Sequence, residues 1–129
     1  MITILPTLDT AIVMNAVITG MDEAIVKQSV KLGLLDSALA ASMAGFGDVD
    51  LYPADHQRLG VLCCRIVLNH PFLDGNKRTG FLLMRETAYL NSIELDFPDQ
   101  HEAADWVEAV ASGTMNEDEF CAKIETLLL

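Results

Sequence analysis

Nine consecutive residues, His70 to Arg78, hold most of the chemically useful side chains of this chain. The stretch reads His-Pro-Phe-Leu-Asp-Gly-Asn-Lys-Arg and precedes an apolar run with helical spacing. If residues 54–69 and 78–91 are helices, the stretch is the turn between them and ends at a helix N-terminus. The free N–H groups and the dipole of such a terminus favour anions. The sequence therefore predicts a site that handles phosphate groups.

The second half of the stretch provides an anion cradle. Gly75 permits a tight bend and a close approach of the backbone. Asn76 can offer its amide to a phosphate oxygen or cap the next helix. Lys77 and Arg78 add positive charge, the lysine as a mobile point charge and the arginine as a planar fork.

Asp74 and His70 supply the remaining groups. A carboxylate is the kind of oxygen ligand that Mg²⁺ accepts beside nucleotide phosphates. Histidine can take up a proton near neutral pH, so His70 can receive one from an attacking hydroxyl. A base, a metal ligand and an anion cradle are together what phosphoryl or nucleotidyl transfer requires.

Each of these residues also has a structural interpretation. A lone histidine at a helix end is more often structural than catalytic, and Asp-Gly-Asn is a common turn sequence. Pro71 is expected to stop the preceding helix and Phe72 to be a buried anchor of the loop. The combination of residues, rather than any one of them, favours the phosphate site.

The stretch resembles the signature of the Fic/Doc superfamily, H-x-F-x-[DE]-[GA]-N-[GK]-R, and matches it without a gap. Lys77 is the form found in Doc-type toxins, where typical Fic enzymes have glycine. The segment Gly33–Leu39, the step Tyr52–Pro53 and the chain length are also similar to Doc. The resemblance covers residues 5–128 and is strongest at 54–91. It implies an all-α Fic fold, a compact helical bundle with the active-site loop between two central helices.

The resemblance also implies a role for each residue of the signature. His70 would be the general base that activates a target hydroxyl, and Asp74 would bind Mg²⁺. The anion hole for the phosphates of ATP would consist of Gly75, Asn76, Lys77 and Arg78. Typical Fic enzymes carry a second arginine three places after the first, whereas this chain has Phe81 there.

Doc toxins of this family phosphorylate a threonine of elongation factor Tu, and the C-terminal segment of a small antitoxin, Phd, neutralises them. The resemblance therefore implies a kinase toxin that uses ATP and Mg²⁺, inhibits translation and pairs with a Phd-like antitoxin. The alternatives are AMP transfer to a protein hydroxyl and an inactive Fic-fold interaction module. A metallohydrolase with His70 and Asp74 as a ligand pair is disfavoured, because His56 and His101 show no ligand spacing.

Length and composition favour one small domain. With 129 residues, 51% of them hydrophobic, the chain can bury about two-thirds of its unfolded surface without disulfides. The three cysteines are expected to be buried thiols of a reducing cytosol. The first basic residue is Lys27, and no apolar stretch reaches the roughly 18–20 residues of a membrane span. These features predict a single Fic/Doc domain, residues 1–129, in the cytoplasm.

The charge distribution favours a nucleotide over a nucleic acid. The net charge of −11 argues against a general nucleic-acid binder. Five of the eight lysines and arginines nevertheless lie between residues 58 and 85, around the stretch. For Arg58 and Arg65 the preferred interpretation is that they face solvent on one helix.

Helical spacing recurs along the chain, and strand signals are almost absent. The apolar positions that suggest two N-terminal helices are Leu8, Ile12 and Ala16, then Leu35, Ala38 and Leu39. Glycines at 20, 33 and 45–47 are predicted to separate the helices. Residues 54–69 are predicted to place His70 on the continuation of their buried face.

Three further helical features are predicted after the stretch. Residues 79–91 are apolar nearly all round, which is typical of a central buried helix. Pro98 is predicted to open the next helix, with Ala103, Trp106, Val107 and Val110 facing inward. Thr114 and Glu117 are predicted to form the capping box of the last helix.

Two other segments have two interpretations each. Residues 45–53 lack helical pattern and match the position of the family's flap, which docks the target polypeptide, but a plain surface loop is an equal alternative. Residues 19–24 half-resemble the inhibitory [ST]-x-x-x-E-[GN] helix of self-restrained Fic proteins. Because Ala24 departs from that pattern and Gly20 is a poor helix residue, self-inhibition is not expected.

Overall fold

The computed structural model describes residues 1–97 and 99–129. This part of the chain contains seven α-helices and a two-stranded antiparallel hairpin, so the predicted all-α Fic-fold bundle is confirmed. The elements are α1 (Leu8–Thr19), α2 (Glu23–Ser29), α3 (Leu32–Ala41), β1 (Gly45–Phe46), β2 (Val49–Asp50), α4 (Asp55–Asn69), α5 (Asn76–Leu90), α6 (Gln100–Ser112) and α7 (Glu117–Glu125). None of the helices in the described ranges is both long and apolar enough to cross a membrane.

Helix α4 runs through the middle of the bundle and faces two apolar clusters. The residues of α4 in the cluster shared with α5, α6 and α7 are Leu59, Cys63, Cys64 and Val67. Those in the cluster shared with α1, α2, α3 and α5 are Leu62 and Ile66. Both faces of α4 are thus held by other helices, and the candidate site lies at its C-terminal end.

The cysteines are free and buried, as predicted. Gly60 of α4 lets α7 approach closely, because a Cβ there would lie 2.5 Å from the Sγ of Cys121. Burial, reinforced by the Glu117 carboxylate, raises the pKa of the Cys121 thiol to about 12. These thiols therefore stay protonated and serve as small apolar side chains.

The two N-terminal helices are confirmed, with one difference at Gly33. Of the six predicted apolar positions, Leu8 is half-buried and the other five are in the core: Ile12, Ala16, Leu35, Ala38 and Leu39. Gly33 is not a break but lies in the first turn of α3. The chain turns at Val30 and Lys31 instead, where the N–H of Lys31 donates to the carbonyl oxygen of Pro71 at 2.9 Å. A contact distant in sequence therefore sets this boundary.

Helix α5 begins earlier and is less buried than the sequence predicts. It starts at Asn76 because Gly75, in the left-handed conformation with φ 76°, is its N-cap. Its C-terminal end is not buried all round, since Tyr89 is 78% exposed and Leu90 is 43% exposed. The prediction of a fully buried helix is wrong at this end, because α1 and α6 cover only part of the circumference of α5.

Helix α6 begins at Gln100, and Pro98, which was predicted to open it, lies outside the described residues. The side chain of Asp99 caps the helix by accepting the N–H of Glu102 at 2.9 Å. The predicted inward residues Ala103, Trp106, Val107 and Val110 are all buried.

The capping box of α7 lies two residues later than predicted. Asn116 and Glu119 each accept the backbone N–H of the other, at 2.8 Å and 3.4 Å. The Thr114 hydroxyl instead donates to the carbonyl oxygen of Ala109 in α6, at 3.2 Å. Thr114 therefore belongs to the end of one helix rather than the start of the next.

Arg58 does not face solvent, contrary to the prediction. It is buried, with Nη2 donating to Asp50 of the hairpin and Nε donating to the Tyr52 carbonyl oxygen, both at 2.8 Å. The guanidinium therefore joins α4 to residues 45–53, the segment predicted as a flap or a loop. That segment contains the β1–β2 hairpin.

Arg65 is likewise engaged. Its Nε lies 2.7 Å from Oε2 of Glu117, and the Tyr52 hydroxyl lies 3.2 Å from its Nη2. Glu117, the expected cap partner, thus pairs across the bundle. The hydrogen bond that Glu117 accepts from Arg65, together with the negative charge of the Glu117 carboxylate, raises the pKa of the Arg65 guanidinium. The pair therefore stays charged.

Candidate active site

The chain leaves α4 through a histidine in an unusual backbone conformation. Helix α4 ends at Asn69, and His70 has φ 52° and ψ 54° while its N–H still donates to the Ile66 carbonyl oxygen at 3.1 Å. A non-glycine residue in this region costs about 1–2 kcal/mol, and Pro71 disfavours helical geometry in the residue before it. His70 therefore departs from the helical path, so the prediction that it continues the buried face of α4 is wrong. Its side chain is exposed and lines a cleft.

Phe72 and Asn76 close the turn between α4 and α5. The Oδ1 of Asn76 accepts the N–H of Phe72 and its Nδ2 donates to the Phe72 carbonyl oxygen, both at 2.9 Å. Both residues are buried, and Phe72 is the anchor that the sequence predicts. Because the Asn76 amide is engaged on both sides, the group that Asn76 leaves for a bound anion is its backbone N–H.

Helix α1 packs directly on this turn. A Cβ at Gly75 would lie 2.8 Å from Cγ2 of Thr19 and 3.2 Å from Nδ2 of Asn15, so only glycine fits without a shift. Asn15 is 1% exposed. Its amide donates to the carbonyl oxygen of Asp74 at 2.8 Å and to the hydroxyl of Thr79 at 3.1 Å. Asn15 thereby fixes the turn to the first turn of α5.

The first turn of α5 offers a set of hydrogen-bond donors. Within the described residues, the N–H groups of Asn76, Lys77 and Arg78 have no acceptor, as is usual for the first residues of a helix. The positive end of the helix dipole adds to their attraction for an anion. The side chains of Lys77 and Arg78 are exposed beside these groups.

All six predicted site residues line one open cleft of about 660 Å³. They are His70, Asp74, Gly75, Asn76, Lys77 and Arg78. Side chains from α1, α4 and α6 form the rest of the wall, among them Thr19, Val67 and Ala111. The turn thus presents a base, a carboxylate and an anion cradle to the same space.

Lys77 is already paired with a carboxylate from α6. Its Nζ lies 2.6 Å from Oε2 of Glu108, and both side chains are more than half exposed. Such an exposed pair contributes about 0–1 kcal/mol. A phosphate that enters the cleft must therefore compete with Glu108 for the lysine, but against a weak interaction.

Asp74 supplies a single carboxylate. One of its oxygens accepts the N–H of Gly75 at 2.8 Å, and the other has no hydrogen-bond partner among the described residues. Among the residues that the structure describes, no cluster of three or more His, Cys, Asp or Glu side chains is suited to a metal ion. Since Mg²⁺ commonly takes one or two carboxylates together with substrate phosphates, the site fits a magnesium–nucleotide complex. A catalytic zinc centre would need three protein ligands.

Comparison with known proteins agrees with the signature in the turn. The sequence model of the Fic/DOC family matches residues 7–88. Over 94 residues the chain is 33% identical to Toxin Doc of Mycolicibacterium smegmatis, and the match covers 71% of this chain and 72% of that protein. The chain belongs to the Fic/Doc family.

Within the Fic/Doc family this chain has the Doc form of the signature. Lys77 stands where typical Fic enzymes have glycine, and Phe81 stands in place of the second arginine. The Phe81 ring packs edge-to-face on Phe97, with ring centroids 5.7 Å apart. The position of the second arginine is therefore filled by an aromatic contact.

Two residues of this Fic/Doc site escaped the sequence reasoning. The sequence could have indicated Asn15, because this polar residue lies one turn from Ile12 and Thr19 and interrupts the apolar face of α1. No sequence feature indicates Glu108, because α6 approaches the turn only in the folded chain. Residues 19–24 do not form one continuous helix, because α1 ends at Thr19 and α2 begins at Glu23.

Proposed function

We propose that this Fic/Doc protein is a Doc-type toxin that transfers the γ-phosphate of ATP to a hydroxyl of elongation factor Tu and so inhibits translation. The observation that carries the proposal is the cleft, in which a base, a carboxylate and a lysine-bearing anion cradle face one space. The identity to a Doc toxin supports the toxin role. ATP would be the phosphate donor and Mg²⁺ the metal.

His70 would act as the general base. Its ring would accept the proton of the target hydroxyl while the hydroxyl oxygen attacks the γ-phosphorus. The bond from the γ-phosphorus to the oxygen that bridges to the β-phosphate would break, and ADP would leave with the electron pair. The products are a phosphoprotein, ADP and a proton that His70 releases to solvent.

The start of α5 would hold the phosphate that moves. Free N–H groups aimed at the phosphate oxygens, together with Lys77 and Arg78, stabilise the charge of a phosphoryl-transfer transition state. Asp74 would hold Mg²⁺, which neutralises phosphate charge when bound. Because Asn15 and Asn76 fix the turn, these groups are in place before the nucleotide arrives.

Lys77 and Phe81 favour transfer of the γ-phosphate over transfer of AMP. A glycine at position 77 would leave the backbone open for the α-phosphate to settle over the cradle. Lys77 places a side chain and a positive charge there, and Phe81 removes the arginine that would grip the far phosphates. The nucleotide would therefore bind with its γ-phosphate towards His70.

The test uses ATP labelled at either the α or the γ position, incubated with the protein and elongation factor Tu. Label transferred only from the γ position, with a phosphate mass added to the factor, is the expected result. Label from the α position would identify an AMP transferase, and no transfer from either would favour an interaction module. In the follow-up, Lys77→Gly is expected to lose kinase activity.

The proposed partner is a Phd-like antitoxin whose helix lies in the apolar groove between α1 and α5. The groove measures about 600 Å³ and is lined by Val13, Met14, Val17, Ile18 and Leu82, with Asp9 and Glu86 at its edges. Val17 is 77% exposed there, and Ile18 also lines the active-site cleft. A helix in such a groove contributes apolar anchors at helical spacing.

Calorimetry with a peptide from the antitoxin reading frame adjacent to this one tests the partner. Binding should release heat and raise the melting temperature, because a ligand of the folded state opposes unfolding. Val17→Asp should abolish binding, whereas Phe46→Asp, an exposed apolar site on the β1–β2 hairpin, should not. Binding that survives Val17→Asp would place the partner elsewhere.

A further inference from the structure

We infer that the groove between α5 and α6 binds the nucleoside end of the nucleotide, a purine base with its ribose. The inference rests on the proposed use of ATP. The groove measures about 600 Å³ and shares Lys77 and Arg78 with the active-site cleft. It is therefore a continuation of that cleft along α5.

A planar wall in this groove is suited to a nucleobase. The Cζ of Arg85 lies 4.6 Å from the centroid of the Phe97 ring. Phe97 in turn packs edge-to-face on Phe81, with centroids 5.7 Å apart, which holds its ring in place. Bases stack on aromatic rings and on arginine planes, so this pair presents the kind of surface that a base prefers.

The α6 side of the groove leaves room for the base and offers it hydrogen bonds. Ala103 and Ala104 face the groove with small side chains. Gln100, at the start of α6, also lines it. Its amide has both a donor and an acceptor, which can meet the edge of a purine.

The unpartnered arginines point to an anionic ligand. Arg58 and Arg65 are paired with carboxylates, as expected in a chain of net charge −11. Within the described ranges, Arg78 and Arg85 form no ion pair. Glu108 is the acidic residue that lines the groove, and it is bound to Lys77. Two guanidinium groups are thus left for a ligand.

The spacing along α5 agrees with the length of a nucleoside triphosphate. Arg78 and Arg85 are seven positions apart, which is about 10 Å along a helix at 1.5 Å per residue. They lie on nearly the same side of α5, because seven residues make almost two turns. With the terminal phosphate at Arg78, the phosphate chain and ribose would bring the base to Arg85 and Phe97.

Calorimetric titration with ATP and with inorganic triphosphate, both in the presence of Mg²⁺, distinguishes binding in the groove from binding at the anion cradle. Inorganic triphosphate has the phosphates of ATP without the nucleoside. Arg85→Met keeps the length of an exposed side chain but removes its plane and charge, and Phe97→Leu removes the ring while keeping an apolar side chain. Each should weaken ATP binding about tenfold and change triphosphate binding by less than about threefold. Phe46→Ala, an exposed aromatic of the β1–β2 hairpin, should change neither.

The outcomes distinguish this inference from the proposed function. ATP binding that is unchanged in both variants would overturn the nucleoside site and leave the kinase proposal standing. An equal loss of ATP and triphosphate binding would also overturn it, because the effect would then lie in the cradle or the fold. If the parent protein binds triphosphate as tightly as it binds ATP, the nucleoside contributes no affinity and the groove does not bind a base. If it binds neither, the proposed use of ATP fails as well.

Discussion

Helix α4 and the turn that follows it use positive charge in opposite ways. Within the helix, Arg58 near its start and Arg65 in its second half are held by carboxylates of the hairpin and of α7. Beyond its C-terminal end, Arg78 has no carboxylate partner among the described residues, and Lys77 has a weak, exposed one. The arginines of the helix hold the bundle together, and the cations after the turn face an open cleft.

The difference shows that clustering of cations in a sequence does not identify a binding pocket. Five lysines and arginines lie between residues 58 and 85, yet the fold divides them between two faces. A desolvated arginine needs a partner to offset the cost of its burial, and both the buried Arg58 and the half-buried Arg65 have acidic neighbours. In a protein of net charge −11, an arginine without such a neighbour is the better indicator of an anion site.

The largest expected effect is at the cleft end, from His70→Ala. Transfer activity should fall by about 10²–10⁴-fold, the usual loss when a general base is removed. The melting temperature and the affinity for ATP should stay close to those of the parent protein. Kinetics with elongation factor Tu and thermal denaturation measure the two effects separately.

His70→Asn is the matched control for this change. Asparagine tolerates the left-handed conformation that His70 adopts, so it keeps the backbone while removing the base. Both variants should be inactive. If His70→Asn were active, or if both variants lost stability in proportion to activity, His70 would be a structural residue and the turn would not differ in kind from the helix.

At the other end of α4, Arg58→Met should destabilise the protein by about 2 kcal/mol. The change removes hydrogen bonds to Asp50 and to the Tyr52 carbonyl oxygen, and a buried acceptor that loses its donor costs about 1–3 kcal/mol. ATP affinity should be unchanged. Arg85→Met removes a guanidinium that lies over the Phe97 ring and has no carboxylate partner among the described residues. It should lower the free energy of unfolding, measured in urea, by no more than about 1 kcal/mol. Equal destabilisation by the two variants would show that Arg58 is no more important for the fold than Arg85.

Gly75→Ala tests whether the packing of α1 on the turn contributes to the stability of the protein. We expect a loss of about 1–2 kcal/mol from the left-handed backbone and a further loss from the contact with Thr19, 2.8 Å from the new Cβ. Gly113→Ala is the control, because Gly113 has φ 81° with nothing within 4 Å of its Cβ position. Urea denaturation should show the larger loss at Gly75. Equal losses would mean that α1 does not pack tightly on the turn.

The smallest expected effect is from Glu108→Gln. Without this carboxylate, Lys77 should bind phosphate more strongly. Loss of an exposed ion pair worth about 0.2–1 kcal/mol corresponds to an ATP affinity about 1.4- to fivefold higher. Asp105→Asn makes the same change of charge elsewhere on α6 and should have little effect. Titration at low and high salt measures both. A weaker affinity in Glu108→Gln would show that Glu108 positions Lys77 instead of competing for it.

Local patterns predicted the helices and the residues of the cleft because their signals are contained within one segment. The signature from His70 to Arg78 is continuous in sequence, and its polar residues line one cavity in the structure. Phe72 was correctly predicted as the buried anchor, whereas the neighbouring apolar residue Leu73 is 65% exposed. The burial of α1, α3 and α6 followed from helical spacing in the same way.

Features that depend on distant contacts were not predictable. The partners of Arg58 and Arg65 come from the hairpin and from α7, so the arginines alone did not indicate these ion pairs. Nothing near Gly33 shows that the chain turns two residues earlier, where Lys31 meets Pro71. The capping box at Asn116 competed with a similar pattern at Thr114, and the choice between them depends on where α6 ends.

The paired hydrogen bonds between Asn76 and Phe72 make the turn a closed ring formed by one side chain and the main chain. Only an amide can fill this role, because it accepts and donates in the same plane, whereas a carboxylate or a hydroxyl of similar size cannot. Ordering a residue of backbone costs about 1–2 kcal/mol, and here that cost arises when the protein folds. An arriving phosphate therefore meets a rigid receptor, and its affinity is not reduced by the entropy of shaping the loop.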